Sequence, residues 1–166
     1  MITIDLTRED EHWESEDALL LLAQKAVDTT FEMLKLSTID TELSLLFTND
    51  AHIQEINAEW RHKDKPTNVL SFPAFPIQTG QKPKQLLGDI VLAWETINHE
   101  AKQDHKTFNN HLIHLIIHGL LHLLGYDHEN EEDAEIMEGL ERLILNRLDI
   151  SDPYDISVNN NPDDEI

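Results

Sequence analysis

Between His118 and His128 the chain reads HGLLHLLGYDH, and no other run limits its folding as strongly. His118 and His122 are four residues apart, a spacing that stacks side chains on one helix face with about 5–6 Å between Cβ atoms. Leu115, Ile116, Ile117, Leu120, Leu121, Leu123 and Leu124 surround them without a helix breaker, so the segment reads as a buried helix that holds the pair rigid. Gly125 tolerates the left-handed conformation that closes helices, and the chain can turn there and bring His128 back towards the pair. Two imidazoles on a rigid face and a third returned by a turn form a ligand set for one metal ion: His118, His122 and His128.

His111 and His114 continue the same stripe. His114 lies about 12 Å of helix rise from His122, at about 1.5 Å per residue, whereas a Zn–N bond spans only about 2.0–2.1 Å. His114 is therefore expected behind the ligands or on the site wall, and it joins Arg61 as a candidate catalytic residue. Taken singly, His111 and His114 also read as surface or hydrogen-bonded core histidines. Three neutral imidazoles leave an ion its full charge and an open position, the arrangement of catalytic zinc sites. Structural sites close with four protein ligands, and the absence of cysteine removes their usual sets. The expected cofactor is one Zn2+ ion, although imidazole also suits nickel, copper and iron. Hydrolysis is its natural chemistry.

The spacing is similar to that of the metzincin proteases, H-E-x-x-H-x-x-G-x-x-H, with one difference: Gly119 stands where the general-base glutamate should be. Glycine can neither accept a proton nor orient water, so peptide hydrolysis by that route is disfavoured. A phosphodiester suits the site better, because its charged oxygens bind a cation directly. The stretch WRHKDKPTNVLSFP, Trp60 to Pro73, adds Arg61, Lys63 and Lys65 ahead of a short β-rich run. Arginine offers a planar fork for phosphate; a solvated loop is the other reading of these charges. The protein is acidic overall, with 33 acids and 12 bases and a formal charge of −21, which argues against a general nucleic-acid binder. The charge is uneven, however: residues 1–59 carry −11, residues 60–126 carry +2 and residues 127–166 carry −12. The segment with Arg61 and two proposed ligands is the only one that is not acidic, and Lys82 and Lys84 extend it. A local phosphate-binding face is compatible with these fields, with binding that is selective, weak in isolation or helped by a partner.

HGLLHLLGYDH, WRHKDKPTNVLSFP and the later LGDIVLA from Leu87 to Ala93 occur in this order, and together they resemble the YbeY family of bacterial metallo-endoribonucleases, also called rRNA maturation factors, over roughly Met1 to Asp149. The resemblance implies that His118, His122 and His128 bind zinc and that Arg61 is important for activity. It further implies single-stranded RNA, the 16S rRNA 3′ end, as substrate. The small ribosomal subunit and its assembly factors are the implied partners, with a part in 70S quality control and a cytoplasmic location. Where the usual motif reads P-T-D-V-L-S-F, this chain has Asn68, which keeps an acceptor oxygen and lacks the charge. A reading from another class keeps the metal as structural and makes the chain a ribosome-assembly factor with little nuclease activity; a metalloprotease stands third.

The expected fold is α/β: a single compact domain over 1–150, with a small mixed sheet of about four strands packed with about five helices, similar to other zinc hydrolases. Strands are predicted at Ile2–Leu6, Leu43–Phe47, Val69–Phe72 and Asp89–Leu92, and helices at Asp17–Leu36, Asp50–Arg61, Trp94–Lys106, Asn109–Leu124 and Glu131–Arg147. PAFPIQTGQKP, Pro73 to Pro83, reads as a mobile loop, and the acidic residues 151–166 as a disordered tail. Asp127 reads either as a hydrogen-bond partner of a ligand or as an ordinary turn aspartate. His99 and His105 are expected at the surface. No stretch approaches the roughly 20 apolar residues of a membrane span, and zero cysteines agree with a reducing cytosol.

Overall fold

The computed structural model describes residues Met1–Tyr154. Nine elements follow in order: β1 (Ile2–Arg8), α1 (Glu16–Met33), β2 (Thr41–Thr48), α2 (Asp50–Arg61), β3 (Val69–Pro73), β4 (Leu86–Ala93), α3 (Trp94–Gln103), α4 (Phe108–Leu123) and α5 (Glu131–Arg147). The strands form one mixed sheet in the order β1-β2-β4-β3. β1, β2 and β4 run parallel, and β3 pairs antiparallel with β4 at the edge. Parallel neighbours need a crossover, which α1 supplies between β1 and β2. The expected α/β fold, with its mixed sheet of four strands and five helices, is the one observed.

Alternation along the strands divides the sheet into two faces. Leu43, Leu45 and Phe47 of β2 and Ile90 and Leu92 of β4 are buried in the large core, with the inner faces of α1 and α4 and with Met137, Ile144 and Leu145 of α5. Val91 and Ala93 of β4 instead join Leu70 of β3 and Ile53 of α2 in a smaller cluster. The buried positions of α1, Leu19, Ala23, Ala26, Val27, Thr30 and Phe31, follow the period of an amphipathic helix. Trp13 seals one end of the large core and donates its indole N–H to the Thr48 carbonyl at 2.7 Å.

Helix starts follow their side-chain caps: Ser15, Asn49, Thr107 and Asn130 each accept a backbone N–H from the first turn. Two helices end earlier than their apolar patterns suggest. α1 stops at Met33 because Lys35 takes φ 60° and the Leu36 N–H returns to the Phe31 carbonyl. α3 stops at Gln103 in the same way, with His105 at φ 57° and the Lys106 N–H on the Ala101 carbonyl. Of the acidic tail expected over 151–166, residues 155–166 lie outside the described residues; Ser151 to Tyr154 follow α5, and Tyr154 reaches Glu141.

Candidate metal centre

α4 carries the histidine stripe across the large core face of the sheet, and Gly119 sets how closely it approaches. A Cβ at Gly119 would lie 3.2 Å from both Cδ1 and Cγ2 of Ile90 on β4. The residue that replaces the protease glutamate is thus one that lets the helix lie against the sheet. α4 ends as its sequence predicts. Gly125 has φ 97°, its N–H bonds to the His122 carbonyl, and the Tyr126 N–H bonds to the Leu121 carbonyl, the paired closure of a Schellman turn. The loop expected to be mobile lies against this turn: Thr79 Oγ1 donates to the Gly125 carbonyl at 3.2 Å, and the backbone of Ile77 to Thr79 comes so close that a Cβ on Gly125 would meet the Ile77 carbonyl oxygen at 2.7 Å.

The turn brings His128 back to the helix. The rings of His118 and His122 are 4.6 Å apart, and that of His128 is 5.6 and 5.0 Å from them. One nitrogen from each lies within 4.8 Å of the other two. The far nitrogens of the helical pair are both engaged. Nδ1 of His122 donates to the Tyr126 carbonyl at 3.0 Å, and Nδ1 of His118 donates to Oε2 of Glu141 at 3.2 Å. A carbonyl and a carboxylate can only accept, so both protons sit on Nδ1 and both Nε2 lone pairs face inward. These two Nε2 atoms are 3.1 Å apart. Burial, with the neighbouring His118 and His128, lowers the His122 pKa to about 4, so the imidazole is neutral at pH 7. Two converging lone pairs and a third histidine suit a cation, and the donor set fits zinc or a related metal.

The triad opens onto a cleft of about 500 Å³ whose wall includes Arg61, Asn68, Ser71, Gly119, Tyr126 and Asp127. Arg61, the last residue of α2, reaches this cleft around the edge of the sheet. Its guanidinium donates to the Ser71 carbonyl of edge strand β3 at 3.2 Å and lies 5.6 Å from the centre of the Phe72 ring. Of the basic residues Arg61, Lys63, Lys65, Lys82 and Lys84, Arg61 alone lines the cleft. Asn68 donates to both carboxylate oxygens of Glu100, at 3.0 and 3.3 Å, and accepts the Val69 N–H. An aspartate there would face Glu100 with like charge, so the amide suits this position. Asp127 accepts the Glu129 N–H at 2.6 Å, a turn-forming bond, while its side chain remains at the cleft.

His114 is turned away from the triad. Its Nε2 donates to Oε1 of Glu141 at 2.5 Å, and it lines a neighbouring cavity with His111 and Tyr154. Burial lowers its pKa against the opposing pull of Glu141, so this imidazole is neutral. His111 is a buried histidine bonded to Glu100 at 2.9 Å. His99 and His105 are exposed, as expected. Sequence reasoning missed Glu141 and the Tyr126 carbonyl, the acceptors that orient the helical pair. A backbone carbonyl leaves no side-chain signal. Glu141 does, because it occupies a core position of α5, in register with Met137, Ile144 and Leu145.

Residues 4–149 match the family model described as Endoribonuclease YbeY. The protein named Endoribonuclease YbeY from Bartonella bacilliformis is 52% identical over 154 residues, which span 93% of this chain and 98% of the relative. The protein of the same name from Rhizobium etli is 50% identical over 160 residues, covering 93% and 94%. The solution structure of TM1509 from Thermotoga maritima shares the fold, with a TM-score of 0.57 and 24% identity over 93% of this chain and 99% of that one. With the matching residues running from the first strand to the end of the last helix, this chain belongs to the YbeY family.

Proposed function

We propose that this chain is a zinc-dependent endoribonuclease specific for single strands, with His118, His122 and His128 as ligands of one Zn2+ ion and Arg61 as the residue that steadies developing negative charge on the scissile phosphate. The relatives' name supports ribonuclease action. The observation that carries the metal is the convergence of the His118 and His122 Nε2 lone pairs, each fixed by an acceptor behind it. When bound, zinc supplies a Lewis-acid charge for phosphoryl oxygens and lowers the pKa of water.

The chain's own residues do the rest. Arg61 is anchored at one N–H by Ser71 and retains further donors, a fork suited to phosphate oxygens. Gly119 adds no carboxylate beside His118 and His122, so the acids of the cleft are Asp127 and Glu129 on its wall, opposed there by Arg61. His114 bonds Glu141 behind the ligands and does not line this cleft, which supports a positioning role through Glu141 for this candidate. In this reading, residues 1–150 form the nuclease domain and 151–166 an acidic tail. The biological substrate is the 16S rRNA 3′ end on the small subunit, with a further role in 70S quality control, in the cytoplasm.

Cleavage of a labelled single-stranded RNA by the zinc-loaded chain tests this. His118→Ala should abolish cleavage together with zinc binding. Arg61→Ala should bind zinc normally and cut about 10²- to 10³-fold more slowly, the loss typical of one transition-state donor. Cutting by Arg61→Ala at the wild-type rate defeats the role given to Arg61. Ribosome binding in a chain that never cleaves RNA favours an assembly factor instead.

A further inference from the structure

Among the described residues Glu141 is the only fully buried acid, and its surroundings are built around it. Oε2 accepts from His118 Nδ1 at 3.2 Å, and Oε1 accepts from His114 Nε2 at 2.5 Å and from the Tyr154 hydroxyl at 2.8 Å. All three partners donate, since a carboxylate can only accept. Burial opposes the charge, and the bonds from His114 and His118 outweigh it, holding Glu141 ionised.

Tyr154 comes from beyond the last helix, and local contacts fix it there. Asp152 accepts from Arg142 of α5 at 3.2 Å and from the Tyr154 N–H at 2.7 Å. The Arg142 guanidinium lies 5.4 Å from the centre of the Tyr154 ring, which stands edge-on to His114 at 5.6 Å. The segment after α5 is thereby strapped across the helix, with its hydroxyl on the carboxylate behind a metal ligand.

We infer that Glu141 positions His118 as a metal ligand and that Tyr154 completes the hydrogen bonding of Glu141, so that the segment following α5 helps set how tightly the site holds its metal. This rests on the reading of the triad as a metal centre. A carboxylate behind a ligating histidine fixes its tautomer and raises its basicity. Here that carboxylate must also be kept from turning away, and His114 and Tyr154 hold its second oxygen.

The test is zinc affinity of the full chain, measured by competition with a chromophoric chelator. Glu141→Gln should raise the zinc Kd about 10- to 100-fold, because one amide cannot accept from all three donors. Tyr154→Phe should raise it about 2- to 10-fold, less than the full worth of a hydrogen bond to a charged group, because His114 still holds Oε1. His122→Ala serves as the separate check on the triad: unchanged affinity there defeats the metal centre itself. Normal loss in His122→Ala with wild-type affinity in Glu141→Gln and Tyr154→Phe overturns the positioning role alone. Nitrogen-15 histidine spectra of the metal-free wild type provide a readout that does not depend on a folded variant. His118 should carry its proton on Nδ1, and a predominance of the Nε2–H form overturns the inference.

Discussion

Gly125→Ala perturbs the fold and the metal centre at one point, and its magnitude follows from the turn. At φ 97° an L side chain is strained, at a cost of about 1–2 kcal/mol. The added Cβ would also sit 2.7 Å from the Ile77 carbonyl oxygen, 2.8 Å from the Gln78 carbonyl carbon and 2.8 Å from the Thr79 nitrogen. All three are backbone atoms, so the loop must shift, and overpacking of this kind costs about 1–3 kcal/mol. A less flexible unfolded chain returns about 0.4–1 kcal/mol. The net loss is about 2–4 kcal/mol, or roughly 5–15 °C in Tm for a chain of this length. Movement of the turn also displaces the Tyr126 carbonyl from His122 and moves His128, so zinc affinity should fall about 10-fold or more. Thermal unfolding by circular dichroism, with and without zinc, and chelator competition read the two effects. A variant with wild-type Tm and wild-type zinc affinity would refute the argument that this turn is both a close-packed closure and the support of the third ligand.

Two further outcomes follow from the same geometry. Gly119→Glu restores the protease motif, yet its Cβ would crowd Ile90 at 3.2 Å, so it should lose about 1–3 kcal/mol of stability and gain no peptidase activity; digestion of a labelled peptide would revive the protease reading. In the metal-free chain, His122 has its pKa lowered from 6.5 to about 4 and Glu141 from 4.5 to about 2, both by their surroundings in the fold. Each binds fewer protons folded than unfolded, so stability should fall as pH drops from 6.5 towards 4 through His122, and further between 4.5 and 2 through Glu141. A urea midpoint that stays constant from pH 6.5 to 4 contradicts the first of these.

The clustering of His118, His122 and His128 was legible because helix spacing and a glycine closure are local, and both act within eleven residues. The helices and strands were legible for the same reason, since the apolar period that marks each of them is local. What sequence hid was either non-local or without a side-chain signature. The early ends of α1 and α3 rest on Lys35 and His105 in the left-handed conformation, positions where glycine would have been the signal. The insertion of β4 between β2 and β3 is a long-range pairing that alternation cannot specify. The position of Arg61 beside the triad depends on its reach around edge strand β3 to Ser71, ten residues away in sequence. Glu141 stands as an acid inside an apolar stripe, but in a helix that opens with Glu131, Glu132 and Asp133 its charge alone does not set it apart.

The most direct test of the central claim is the RNA cleavage rate of the chelated chain as zinc is returned in measured amounts. The account predicts negligible cleavage without metal, a linear rise and a break at one zinc per chain, with no such recovery in His128→Ala. Cleavage that proceeds at full rate without metal, or that recovers equally in His128→Ala, would contradict it.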